Sequence, residues 1–363
     1  MDIENLLLIT AHDEFLRAAI KELQHIDTHL EYLRTLSPEI ALCRVPNSAT
    51  FMRKVAQTHP IFTRHLAPAQ QVIEIAHNEQ DIGQMALTIA ALPAFAQLEP
   101  GTYFSVQSRF AQAEQAQNKR AYTIGQLNRT LAEAFTEETG AIESMKKPVV
   151  IISILCTAEH AYLGISTAQD NLSSWPGGMR RYAQTEEQIS RAEFKLLEAL
   201  EIFEVALPEH GQVLDLGAAP GGWTRMLLEA GLTVIAVDPA RLDTRLDRQR
   251  RLTHYRGYAE QFIQEARDRR ERFNLIVNDM RMDARDTARL LVKASACLYH
   301  DGFVISTLKL PHETTAMHPL SIMEEALTIL EQGYDFIRPH QLFHNRQEIT
   351  VLAAQPHVAG RRK

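Results

Sequence analysis

Apolar positions along the chain follow two different arrangements, and the change between them divides it. In the first 65 residues short apolar runs alternate with amphipathic stretches. LLLIT and EIALCRV read as strands, while DEFLRAAIKELQ, with Phe15, Ala18, Ala19 and Leu23 on one face, and ATFMRKVAQTH read as helices. A second α+β stretch follows, with QVIEIA and YFSVQSRF as strands, YTIGQLNRTLAEAF as a helix, and VVIISILC with AYLGIS as a hairpin. The segment 170–188, DNLSSWPGGMRRYAQTEEQ, concentrates Asn, Ser, Pro and a Gly pair, and the main domain boundary is expected there. Beyond it VLDLG, LTVIAVD, NLIVND, GFVISTLKL and QEITVLAA are short apolar runs separated by the helical patterns WTRMLLEA, TARLLVKASACLY and SIMEEALTILEQG. Strands joined by helices predict a parallel, doubly wound α/β sheet. The last strand follows a helix and the strand near YDFIRPHQLF, which allows it to insert antiparallel.

Composition changes this picture little. The 363 residues are 45% hydrophobic and 23% charged, enough for two or three ordinary cores and against a disordered or fibrous class. The most apolar stretch, VVIISILC, is far shorter than the ~20 residues that span a bilayer, and MDIENLLLIT lacks a cationic signal flank. The expectation is a cytoplasmic protein with no membrane partner. Cys43, Cys156 and Cys297 are scattered and odd in number, which fits a reducing compartment and argues against disulfides or a Cys-based zinc site. Net charge is −7, with 38 basic and 45 acidic residues, and neither half is basic enough to read as a nucleic-acid domain from charge alone. The densest basic stretch, 241–272 with ten arginines against six acidic residues, reads as a solvated helical face with i,i+4 pairs such as Arg241 and Arg245 beside Asp243 and Asp247.

The strongest chemical signal is VLDLGAAPGGWT at 213–224, a strand running into a Gly-rich turn and then a helix. Gly217, Gly221 and Gly222 allow a ligand close to the backbone, and the helix start offers free N–H groups. The G-x-x-x-G-G spacing matches neither the nicotinamide fingerprint nor a phosphate-binding loop. Asp215 on the first strand is suited to accept from a ligand amine and would repel a pyrophosphate. Asp238 ends the second strand, where a carboxylate holds ribose hydroxyls in other doubly wound sheets, so an adenosine-like ligand is expected.

DLGAAPGGW followed by VD and NDM is similar to the S-adenosylmethionine-binding core of FtsJ/RrmJ-like ribose 2′-O-methyltransferases. SRAEFKLLEA, LKLP and QLFHNRQEITV, with KPVV, YLGIS and DNLS, extend the resemblance to the RlmM (YgdE) family acting on large-subunit ribosomal RNA. The resemblance implies a catalytic set in the order Lys, Asp, Lys, Glu, which falls on Lys195, Asp279, Lys309 and Glu348. It implies S-adenosylmethionine as cofactor, held by Ser190, Asp215, Gly217, Ala219, Pro220, Gly221, Gly222, Trp223, Asp238, Tyr258 and Asp279, with no metal. Tyr258 stands where the family carries an acid facing the adenine amine, with Glu260 two residues on, and Ala219 replaces a Cys of close relatives. The implied architecture is a ferredoxin-like unit at 1–65, a THUMP-like RNA-binding domain at 66–170, a linker at 171–188 and a Rossmann-like methyltransferase domain at 189–356. The implied partner is RNA, with a cytidine of 23S ribosomal RNA as the target.

Methyl transfer to a ribose hydroxyl needs in-line alignment and help in losing a proton. Lys309 is the candidate nearest the 2′-hydroxyl, either as a general base or as a cation stabilising the developing alkoxide. Asp279 orients it, and SRAE forms a capping box through Ser190 and Glu193 that sets the helix of Lys195. Trp223 stacks on a ligand or packs internally. NDMRMD lacks the Pro and aromatic residue that grip a flat base, which favours oxygen over nitrogen as acceptor. His340 and His344 lie on a stretch that reads as extended rather than helical, against an i,i+4 zinc pair. Two other readings use the same residues: a non-catalytic S-adenosylmethionine-binding RNA-binding or ribosome-assembly factor, and the same chemistry on another RNA.

Overall fold

The structure, a computed structural model, describes residues 5–111, 120–312 and 318–357. The chain divides into two units, Met1–Arg180 and Arg181–Lys363, at a point inside the Gly- and Pro-containing segment.

The first unit begins with β1 (Leu6–Thr10), α1 (Leu16–Ile26), β2 (Glu31–Ser37), β3 (Ile40–Arg44), α2 (Ser48–Thr58) and β4 (His65–Ala69). Its strands pair antiparallel in the order β2-β3-β1-β4. The hydrophobic pattern missed two of the four. β2 lies at the sheet edge and is mostly exposed, so EYLRTLS shows no apolar alternation. β4 is buried throughout but carries His65 and Pro68, which mask it as a strand. This sheet therefore runs to Ala69, past residue 65.

A second sheet follows, from β5 (Gln71–Glu74), α3 (Gln80–Ala90), β6 (Tyr103–Phe110), α4 (Ile124–Thr139), β7 (Ile142–Glu143), β8 (Val150–Cys156) and β9 (His160–Thr167), ordered β5-β9-β8-β6-β7. The two sheets share one apolar cluster in which Leu6, Leu8 and Leu42 meet Leu155 and Tyr162, and Arg34 donates to the Tyr162 hydroxyl at 2.7 Å. The stretch expected to be a free linker is packed in its first half. Leu66 N–H donates to the Asn171 carbonyl at 3.2 Å and Gln107 Nε2 to that of Ser174 at 2.6 Å, with Asn171, Ser173 and Arg180 buried.

The second unit contains α5 (Glu193–Phe203), β10 (Gln212–Leu216), α6 (Gly222–Glu229), β11 (Thr233–Val237), β12 (Leu252–Tyr255), α7 (Ala259–Asp268), β13 (Phe273–Asn278), α8 (Ala284–Ser295), β14 (Leu298–Lys309), α9 (Pro319–Leu330), β15 (Tyr334–His340) and β16 (Glu348–Pro356). They build one sheet, β12-β11-β10-β13-β14-β16-β15. The first five strands in that order are parallel, and β16 enters antiparallel between β14 and β15. Val213, Val234, Leu275, Val277 and Ile305 from the strands pack with Leu196, Trp223 and Leu227 from the helices, which is why the central strands are nearly continuous apolar runs.

Of the arginine-rich stretch, the part at 259–268 is helical, with Arg269 and Glu265 paired at i,i+4 at 3.5 Å, but the part between β11 and β12 is not a helical face. It holds a single 3-10 turn at Thr244–Leu246, capped by Asp243, and Arg245 pairs with Asp243 at 2.8 Å two residues back rather than at i,i+4. Among the described residues no helix is long and apolar enough to cross a membrane.

Candidate active site

Within the second unit β10 lies between β11 and β13, so the chain leaves it in opposite directions and a crevice opens at the carboxyl ends of these strands. The Gly-rich turn lines this crevice. It contains a cis Ala219–Pro220 peptide, Gly217 at φ +72° and Gly221 at φ +110°. Ala219 N–H donates to Asp238 Oδ2 at 3.1 Å, which ties the turn to the end of β11. α6 then starts at Gly222 with no side-chain cap from Gly221; the Thr224 N–H of its first turn bonds Asp215, and the N–H groups of Gly222 and Trp223 ahead of it face the ligand side. At Gly221 an added Cβ would lie 2.4 Å from Leu246 Cδ1 and hold the backbone in the left-handed region. Gly221→Ala is expected to cost about 2 kcal/mol, measured as a lower urea midpoint; an unchanged midpoint would mean the turn relaxes at no cost.

Several expected ligand contacts are used internally instead. Trp223 is 4% exposed and its Nε1–H donates to the Ala192 carbonyl at 2.6 Å, so the ring packs between α5 and α6 and does not stack on a ligand. Asp215 is 2% exposed and accepts from Thr224 Oγ1 at 2.6 Å, beneath the turn rather than facing a ligand amine. Burial pushes its carboxyl up to about 7, with the hydrogen bond from Thr224 opposing and the charges of Asp279 and Asp238 adding to the rise. Asp238 braces the turn, one oxygen on Ala219 N–H and the other on Ala240 N–H at 2.8 Å, and each oxygen keeps a second lone pair. Tyr258 is 68% exposed at the start of α7 and makes no capping bond.

Only half of the SRAE capping box forms. Glu193 Oε1 accepts from Ile189 and Ser190 N–H, but α5 begins at Glu193 behind Ala192, and the Ser190 hydroxyl caps nothing. That hydroxyl is buried without a partner and abuts Gly222, where a Cβ would meet it at 2.3 Å.

The four charged residues come together, largely through sheet register. Lys309 ends β14 directly opposite Glu348, the first residue of β16, and Asp279 follows β13, whose Asn278 pairs with Ser306. Lys195 reaches them from the first turn of α5. Its Nζ lies 3.1 Å from Asp279 Oδ2 and 2.7 Å from Glu348 Oε1. Lys309 Nζ donates to Asp279 Oδ1 at 2.6 Å and also to Glu348 Oε2, which closes the ring. Thr307 Oγ1 donates to Asp279 Oδ1 at 2.8 Å. Burial disfavours the charged form of Lys195, but Asp279 and Glu348 outweigh it and its pKa is raised. Burial likewise opposes the Asp279 carboxylate, yet Lys309 and Lys195 hold it below its ordinary value. The cluster thus presents ammonium N–H groups, balanced by two carboxylates, at the edge of the crevice.

Sequence reasoning missed Thr307, Glu198 and Asn345. Glu198 is buried on α5, and its partners lie near residue 343, beyond any local pattern. Among the described residues no group of His, Cys, Asp and Glu is arranged to hold a metal ion.

Residues 188–348 match the FtsJ-like methyltransferase family. The chain is 29% identical over 218 residues, 58% of its length and 59% of the relative's, to Ribosomal RNA large subunit methyltransferase M of Shewanella sediminis. It is 33% identical over 205 residues, 54% and 55% of the two chains, to the protein of that name in Halorhodospira halophila. The chain thus spans under two thirds of these curated relatives. Among solved structures, TrmN from Thermus thermophilus aligns with 96% of this chain and 99% of that one, at 17% identity and a TM-score of 0.40.

Proposed function

We propose that this chain, whose residues 188–348 belong with the FtsJ-like methyltransferases, transfers a methyl group from S-adenosylmethionine to a ribose 2′-hydroxyl of RNA. The observation that carries this reading is the closed ring of Lys195, Asp279, Lys309 and Glu348 beside the Gly-rich turn. The cofactor fits the residues present. The buried, unpartnered Ser190 hydroxyl, the cradle at Gly221 and Gly222, and the uncapped start of α6 are features that a polar ligand would satisfy. Gly217, Ala219, Pro220, Gly221 and Gly222 would hold it through the backbone, with Ser190 and Asp238 supplying polar side chains and Asp279 at its reactive end.

When bound, S-adenosylmethionine supplies an electrophilic methyl group on a sulfonium. Asp279 and Glu348 fix Lys309 from two sides, so its ammonium group meets the ribose oxygen in one orientation. During transfer of that methyl group from sulfur to oxygen, Lys309 would stabilise the charge developing on the ribose oxygen, and the hydroxyl proton would leave to solvent. The balance of two cations against two carboxylates favours this electrostatic role over a general base. Lys195 keeps Asp279 and Glu348 from collapsing wholly onto Lys309.

The βαββαβ order and the β2-β3-β1-β4 sheet support a ferredoxin-like start to the first unit, and the sheet that follows is proposed as a THUMP-like RNA-docking part. The relatives carry the name of a large-subunit ribosomal RNA methyltransferase, which supports ribosomal RNA as substrate, with a cytidine of 23S RNA as the proposed target in the cytoplasm. The test is incubation with labelled S-adenosylmethionine and RNA from cells lacking the gene, followed by alkaline digestion. A 2′-O-methyl group blocks cleavage at its own phosphate, so label is expected in an alkali-resistant dinucleotide. Label in mononucleotides would place the methyl group on a base and defeat the ribose reading.

A further inference from the structure

Glu348 stands at a strand start, where a side chain would ordinarily be free to swing, yet one of its oxygens meets Lys195 and the other Lys309. Something must choose that orientation. Asn345, itself 1% exposed, donates from Nδ2 to Glu348 Oε1 at 3.2 Å, the same oxygen that meets Lys195. Asn345 cannot turn away, because its Oδ1 accepts from Leu342 N–H at 2.9 Å and from Thr350 Oγ1 at 3.1 Å. The loop that carries it is pinned in turn by Glu198 of α5. That carboxylate, 1% exposed, accepts from Phe343 N–H at 2.7 Å, from His344 N–H at 3.0 Å and from His344 Nδ1 at 2.7 Å. The imidazole is stacked on Tyr182 at 5.5 Å and packed against Phe194 at 5.2 Å, which aims Nδ1 at Glu198.

We propose that Asn345, with Glu198 anchoring its loop, is a positioning residue that fixes Glu348 between Lys195 and Lys309. Lys195 and Glu198 sit three residues apart on one helix, so α5 controls both sides of the Lys195–Glu348 contact: it carries the amine and it holds the loop that orients the carboxylate. A buried, fully bonded polar chain of this kind costs stability if broken halfway, so its presence here calls for a role that an apolar contact would not fill. This inference rests on the methyltransferase reading for its kinetic consequence, but its geometric content does not.

The test therefore has two readouts. In Asn345→Asp the oxygen that accepts from Leu342 and Thr350 is kept, while the donor facing Glu348 is replaced by a second carboxylate oxygen. Carbon NMR of labelled glutamate side chains at one fixed pH, with the Glu348 carboxyl resonance identified by its loss in Glu348→Gln, should show that resonance displaced in the variant, whether or not the protein methylates anything. In the methylation assay kcat should fall more than about tenfold, with the KM for S-adenosylmethionine unchanged, because the cofactor cradle is untouched. In a Glu348→Gln background the same substitution should cost less than about twofold, since its target is gone. Glu198→Gln, which retains one accepting oxygen, should give a smaller loss in kcat and serves as the second variant if Asn345→Asp fails to fold. An undisplaced Glu348 carboxyl resonance, or equal losses in both backgrounds, would overturn the proposal. A displaced resonance with no methylation by the unmodified protein would leave it standing and sink the activity reading instead.

Discussion

Replacing Lys309 by alanine is expected to lower methyl transfer by about 10³-fold or more, while S-adenosylmethionine binds within a few-fold of its original affinity. The size follows from the position of this amine. It is the one cation of the cluster that ends a sheet strand, and it donates to both carboxylates. Among the described residues no neighbour replaces it. Lys195 is held at 2.7 Å from Glu348 and 3.1 Å from Asp279 on the helix side, and Thr307 is occupied with Asp279. Removing Lys309 leaves two carboxylates facing one ammonium, so the local charge at the reacting oxygen becomes negative, which opposes alkoxide formation as well as failing to assist it. Binding should survive, because the turn, the start of α6 and Ser190 lie outside the deletion. Equilibrium dialysis with labelled cofactor and single-turnover methylation separate the two effects. A variant that keeps more than a tenth of the rate would mean that another group meets the hydroxyl. Loss of binding and rate together would mean that the cluster instead holds the cofactor.

How far such a site can be read without coordinates depends on what kind of information places each residue. β10, the Gly-rich turn and α6 are contiguous, and their backbone demands are written in residue type: a small residue at each close approach and glycine where φ is positive. Lys309 and Glu348 are distant in sequence, but both sit at ends of strongly apolar runs, and an antiparallel insertion of the last strand brings such ends together. Side-chain direction at helix starts was another matter. Trp223 lies in the first turn of α6 while Ser190 and Tyr258 precede α5 and α7, and whether each faces the crevice, the core or solvent depends on how these helices dock, which no local period encodes. Glu198 carries the same lesson. On an apolar helix face a glutamate reads as an exposed interruption, and donors as distant in sequence as residues 343 and 344 offset its burial. In the first unit, β2 failed for the opposite reason: an exposed edge strand has no buried face to impose a pattern.

Asp215→Asn is expected to change the pH dependence of stability more than any other single substitution in the second unit. The Asp215 carboxyl is buried, and desolvation, reinforced by Asp279 and Asp238, pushes it from an ordinary 3.8 up to about 7 against the opposing bond from Thr224. The folded state therefore retains a proton that the unfolded chain has already lost between roughly pH 4 and pH 7. Stability from this group is fully present below pH 4 and is lost as pH rises through about 7, a total of about 4 kcal/mol at the limit. Asparagine keeps an oxygen for the Thr224 hydroxyl and cannot ionise, although its amide must be buried at a fixed cost that pH does not change. The difference between variant and unmodified protein should thus move in favour of the variant by about 2 kcal/mol between pH 5.5 and pH 8, and then level off. Urea unfolding of both proteins without ligand, at half-unit steps across that range, reads the slope directly. A difference that stays constant with pH would show that Asp215 is ionised throughout, which would require solvent or a cation beside it that its 2% exposure and its contacts do not provide. A carboxyl kept costly by burial directly under the turn is placed so that a cationic ligand in the crevice would favour its ionised form, and the same titration repeated with S-adenosylmethionine should then show the midpoint of the transition shifted to lower pH.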